Sequence, residues 1–198
     1  IWPFSHEIIL FQKVLGISSL GEAQIKAAQE VIERLRQVPL VVLLLTLAVT
    51  PAVCEEFFFR GYLFRALRET MRPWKTIVVS AMLFGVFHVV TTNALSVERF
   101  LPSTIMGLVL GWICWRTGSV LPGMLLHACH NGLLLTILYY RDELAASNWG
   151  IQEASHIPAT WLATAAVVVV VGVALVWLVT KKKEKATPED DDQTSRVA

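Results

Sequence analysis

The stretch ATWLATAAVVVVVGVALVWLVT, Ala159 to Thr180, carries no charged residue. As a helix rising about 1.5 Å per residue, it is long enough to cross the roughly 30 Å hydrocarbon core of a bilayer. Its valines would suit a buried strand by propensity. Its length, and the lysines that follow at 181, 182 and 183, read instead as a membrane helix with an interfacial anchor. Backbone in lipid must satisfy every N–H and C=O internally, which restricts what can surround such a segment. Four more apolar blocks precede it. The first runs from Val38 through Pro51 and on past Arg60 toward Arg68. The others are Trp74 to Val90, Phe100 to Trp115, and Val120 to Tyr140 with Pro122 near its start. With 55% of residues apolar and 17% charged, the chain reads as all-α, a polytopic transmembrane helix bundle. A formal charge of +1 leaves no footprint for nucleic acid.

The first block, as a straight helix, would be about 45 Å long and exceed the hydrocarbon core. Pro51 is therefore expected to kink or break it. Residues 1–37 form an N-terminal segment: an aromatic, interfacial opening, then an amphipathic helix. Ser18 or Ser19 would cap that helix, and Ile25, Ala28, Ile32 and Leu35 recur at its spacing. Residues 38–140 form the core, 141–158 a loop, 159–180 the last membrane helix, and 181–198 a disordered charged tail. The chain opens on Ile1 with no signal peptide and reads as the last part of a longer membrane protein. Alternating blocks gather Arg68, Arg72, Lys75, Arg116 and the C-terminal lysines on one side. The positive-inside rule makes that side cytoplasmic, with the C-terminus. Cys54, Cys114 and Cys129 all lie in apolar runs and are expected to be reduced and buried.

Ionisable residues inside apolar spans are functional candidates, because burying them in hydrocarbon is costly. Glu55, Glu56 and Arg60 lie on the first block, His88 on the second, and His127, His130 and Asn131 on the fourth. Their convergence would enclose a buried polar chamber. Glu56 and Arg60 stand at i,i+4 and can pair on one helix face; the plainest reading of the two is a structural ion pair. Glu55 points about 100° away around the axis, so its partner belongs on another helix, and His88 is one candidate. A glutamate beside a histidine can hold and deprotonate a water. His127 and Asn131, also i,i+4, can both donate hydrogen bonds toward a tetrahedral oxyanion. Hydrogen-bonded packing is the alternative for either histidine alone. Zinc held by Glu56 or Glu55 with His88 and His127 is chemically possible, though the water-activation route needs no ion. No G-x-S-x-G, H-E-x-x-H or P-loop is present, so a serine nucleophile, a zincin helix and an ATP engine are not indicated. One difficulty is depth: in alternating helices His88 and His127 lie toward opposite faces of the membrane.

E-E-x-x-x-R at Glu55, Glu56 and Arg60, F-x-x-x-H at Phe84–His88 and H-x-x-x-N at His127–Asn131 follow in order on successive blocks. The pattern resembles the CPBP, or Abi, family of intramembrane proteases, related to the type II CAAX prenyl endopeptidases, over roughly Gln37 to Tyr140. The resemblance implies an all-helical membrane bundle around a polar chamber. It implies Glu55 as general base with His88, an oxyanion hole of His127 and Asn131, and Glu56 with Arg60 as a supporting pair. It implies no cofactor, although the family was first treated as zinc proteases. Eukaryotic members cut prenylated proteins. Bacterial ones, which imply an inner-membrane protein with membrane protein or peptide substrates, include peptide-maturation, immunity and non-catalytic scaffold roles. Some similar bacterial chains carry this module behind an ABC-2-type permease, which would make upstream permease helices and an ABC ATPase its partners.

Overall fold

The computed structural model describes residues 2–16, 22–91, 98–146 and 156–185, and among these there are helices and no strands. In chain order they are α1 (Trp2–Val14), α2 (Glu22–Leu35), α3 (Leu40–Thr70), α4 (Pro73–Thr91), α5 (Phe100–Thr117), α6 (Leu121–Tyr139), α7 (Arg141–Ala146) and α8 (Ala159–Lys185). Four of them, α3, α4, α6 and α8, are long and apolar enough to cross a membrane. The chain is thus a multi-pass membrane protein with one more apolar helix, α5, packed among the spans.

Pro51 does not end the first block. Helix α3 is continuous through it, with a π-helical stretch, Leu44–Val49, immediately before and another, Phe57–Leu63, after. A wider turn ahead of proline relieves the clash of its ring with the preceding carbonyls. The buried positions explain why both stretches are needed. Ala48, Ala52, Glu56, Arg60 and Phe64 are all buried and recur every four residues. On a regular helix of 3.6 residues per turn that stripe would wind around the axis by about 160° from first to last. The wide turns return it to one face, so both ionic residues stay directed into the protein.

The inner face of α4 packs on α5 through small residues. A Cβ on Gly107 would lie 2.9 Å from the Cα of Ala81, so the two backbones approach as closely as glycine permits. Around that crossing Phe59, Phe84, Met106 and Leu110 form one core cluster, and Phe64, Ile77 and Cys114 another. Gly107→Ala is expected to force the helices apart and destabilise the bundle by about 1–3 kcal/mol. Thermal unfolding in detergent or nanodiscs checks this, and an unchanged midpoint would contradict so close a contact.

The ends of the bundle are joined by polar contacts. Arg36, after α2, meets Asp142 of α7, and Arg141 reaches Glu33 at 3.2 Å. The residues expected as a 141–158 loop therefore begin with a helical turn held against α2. On α2, Ile32 and Leu35 are half-buried as the spacing predicts, while Ser18, Ser19 and the side chains of Ile25 and Ala28 lie outside the described residues. Glu7 of α1 accepts from the Ile157 amide at 2.8 Å and pairs with His156 at 2.7 Å, which holds its carboxyl below the ordinary value. Arg116 donates to Thr180 Oγ1 at 2.7 Å, fastening α8, most of whose described surface faces outward. That helix continues to Lys185 rather than ending at Thr180; the tail beyond lies outside the described residues.

Two cysteine expectations are corrected. Cys114 is buried, but Cys54 and Cys129 are exposed on the outside of the bundle. In a membrane protein an apolar run can face lipid, so lying in such a run does not imply burial by protein.

Candidate active site

Glu55 precedes the end of α3 by as many residues as His88 follows the start of α4. Across the α3–α4 turn the antiparallel pair therefore brings both side chains to one level. His88 Nε2 lies 3.7 Å from Glu55 Oε2. The opposite ring nitrogen, Nδ1, is 3.0 Å from the carbonyl oxygen of Phe84, one turn back. A carbonyl only accepts, so Nδ1 carries the proton and the neutral ring turns a lone pair, at Nε2, toward the carboxylate. Two acceptors then face each other without a proton between them. Glu55 Oε2 is buried and has no hydrogen-bond partner among the described residues.

His127 resolves the depth problem. The first turn of α6 lies against the carboxylates: a Cβ on Gly123 would be 3.1 Å from Glu56 Oε2 and 3.7 Å from Leu110 Cδ2. With glycine there, α6 enters deep beside α3, and one turn later His127 is level with both glutamates. Its Nδ1 is 3.3 Å from Glu56 Oε1 and its Nε2 is 3.9 Å from Glu55 Oε2. With Nδ1–H directed at the Glu56 carboxylate, neutral His127 also turns the lone pair of Nε2 toward Glu55. It can donate from Nε2 only when both nitrogens carry protons.

Glu56 and Arg60 form the i,i+4 pair that their spacing predicts, at 2.7 Å and with both side chains fully buried. The pair reaches further than that spacing indicates. Arg60 also donates to the Gly107 carbonyl at 3.1 Å, and its guanidinium stacks 4.5 Å over the Phe84 ring. Phe84 is thus a hub. Its carbonyl fixes the His88 tautomer, and its ring touches Arg60, His88 and His127. The sequence marked Phe84 only as the start of F-x-x-x-H; an aromatic one turn before a buried histidine was the available signal.

His88 and His127 line a cavity of about 190 Å³ with His130, Asn131, Ser103 and Arg99. This is polar and roomy enough for several waters at about 30 Å³ each. Helix α1 contributes Ser5 and His6 to the same wall, an involvement that no sequence spacing indicated. The structure thus brings Glu55, His88 and His127 into contact range and sets Asn131 and His130 around the space beside them. The zinc set of Glu56, His88 and His127 does not meet at one point, since Glu56 sits on the Nδ1 side of His127 while His88 faces Glu55. Among the described residues no group of three such side chains is arranged to hold a metal ion.

An all-helical, multi-pass membrane bundle with two adjacent glutamates answered by imidazoles from two other helices defines a narrow class of membrane protein. Residues 37–133 match the family model described as type II CAAX prenyl endopeptidase Rce1-like, and this part of the chain belongs to that family. The match bears out the CPBP resemblance carried by the three motifs. No curated protein and no solved structure matches the chain.

Proposed function

We propose that this protein is an intramembrane endopeptidase that hydrolyses a peptide bond of a membrane-associated protein or peptide with a water activated by Glu55. The observation that carries the reading is the 3.7 Å gap between Glu55 Oε2 and His88 Nε2, two acceptors facing one another. A polar separation of that length is suited to a bridging water. Such a water donates one O–H to the carboxylate and the other to the imidazole. Its oxygen lone pair then remains free to attack.

In the step this implies, the water oxygen bonds to the substrate carbonyl carbon and Glu55 takes the proton. The carbonyl π electrons move to oxygen. The Asn131 amide, which carries two donors in any state, is suited to hold the resulting oxyanion, and His127 joins it only when doubly protonated. The proton on Glu55 then passes to the amide nitrogen as the C–N bond breaks. Glu56 and Arg60 take no proton in this scheme. They hold His127 and the helix crossing in place.

The competing reading is a non-catalytic membrane scaffold. It would place no demand on the mutual geometry of Glu55, His88, His127 and Asn131, so the approach of Glu55 to both imidazoles, and the cavity those imidazoles share with Asn131, favour the enzyme. The test is cleavage of membrane peptides by the full chain in nanodiscs, comparing wild type with His88→Ala. A loss on the order of a hundredfold is expected if the imidazole helps position the water. Equal turnover by a folded His88→Ala protein would remove His88 from the mechanism. A chelator arm separates this metal-free route from a zinc route: sensitivity reversed by added zinc would overturn the former.

A further inference from the structure

The proposed reaction makes no use of Arg99. This residue lies at the N-cap of α5 and makes no side-chain capping bond there. A cation at a helix N-terminus opposes the helix dipole, so helix stability does not account for it. It is turned inward and lines the cavity together with His88, His127 and Asn131. Among the described residues its side chain makes no hydrogen bond or ion pair, and it is felt at a distance by Glu55, His88 and His130. Burial alone holds the guanidinium below its usual range, with Glu55 acting against that effect.

The fully buried arginine of the chamber offers a contrast. Arg60 is met by a carboxylate, a carbonyl and an aromatic face. Arg99, half-buried, has the same planar fork of donors and lines the cavity with no side-chain hydrogen bond to another described residue. A half-buried guanidinium left in that state is poised for an anion, and its geometry matches a carboxylate.

Resting on the proteolytic reading above, we propose that Arg99 is a specificity-determining residue that binds a carboxylate of the substrate peptide beside the scissile bond. Two sources share that chemistry, a free C-terminus and an acidic side chain. Either would enter the cavity beside the imidazoles and leave Glu55 free to hold its water.

The test uses the full chain in nanodiscs and one apolar peptide in three forms: with a free C-terminal carboxylate, amidated, and amidated with one glutamate near the cut. Cleavage gives KM and kcat separately for wild type, Arg99→Gln and Arg99→Lys. Binding of the same labelled peptides to Glu55→Gln protein is followed by fluorescence anisotropy, which needs no turnover. In wild type, removing the recognised carboxylate is expected to raise KM on the order of tenfold to a hundredfold, with kcat changed less. In Arg99→Gln the same removal has no further effect, and Arg99→Lys recovers part of the discrimination, since an ammonium lacks the fork. Preference for the free terminus or for the glutamate identifies the source, and either supports the proposal. Equal handling of all three peptides by wild type, or the same preference in Arg99→Gln, overturns it. Arg99-dependent binding without cleavage would support the carboxylate site and count against the protease. Absence of both binding and cleavage would sink the two together.

Discussion

Glu55→Gln is expected to reduce peptide cleavage by a factor on the order of a hundred or more while leaving the protein folded. The amide keeps the size of the carboxylate and loses its ability to take a proton. Among the described residues Glu55 makes no ion pair shorter than its 3.7 Å approach to His88, so the fold has little to lose from the change. The base and the structural pair are neighbours in sequence, and the substitution separates them. Turnover and the thermal midpoint should be read on the same preparation. Full turnover by the variant would end the assignment of Glu55 as base. A collapse of the midpoint would mean that Glu55 shares the structural role assigned here to Glu56.

The second large effect is on stability. Arg60→Met is expected to destabilise the bundle by about 3–5 kcal/mol, because it leaves the carboxylate of Glu56 buried opposite an apolar side chain. The double variant Glu56→Gln with Arg60→Met should recover much of that loss, since both formal charges are then gone and the glutamine oxygen can still accept from His127 Nδ1. The recovery is what separates a desolvated pair from two independent contributors. Thermal or denaturant unfolding of the two single variants and the double variant decides it. Additive losses would show that the 2.7 Å contact of Arg60 with Glu56 is not the coupling that matters.

Much of this arrangement is readable without coordinates. The i,i+4 spacing of Glu56 and Arg60 puts them on one face, and the position of Glu55 next to them forces it toward another helix. The hairpin register of Glu55 and His88 about the α3–α4 turn also follows from counting residues. What cannot be counted is helix entry depth. His127 meets the glutamates because Gly123 lets α6 approach within van der Waals contact of Glu56, and nothing local to H-x-x-x-N encodes that. The hydrogen-bond polarity of His127 is likewise tertiary: its Nδ1 is committed to Glu56, which narrows its part in an oxyanion hole. Nothing in the local sequence singles out Arg99, because a chain read one block at a time does not reveal which loop ends turn inward. The Pro51 expectation differed for a physical reason that lies in the sequence: Ala48, Ala52, Glu56, Arg60 and Phe64 repeat at four residues, a period that a regular helix does not have.

The wide turn at Phe57–Leu63 makes α3 intolerant of shortening in a way its composition conceals. Phe57, Phe58 and Tyr62 point outward and could be exchanged for other greasy side chains with small effect. Removing any one of them would tighten the coil and rotate everything downstream, carrying Phe64 out of its core while the carboxylates stayed behind. In this segment the tally of residues is more constrained than their identities, and an alignment gap there should be rarer than a substitution.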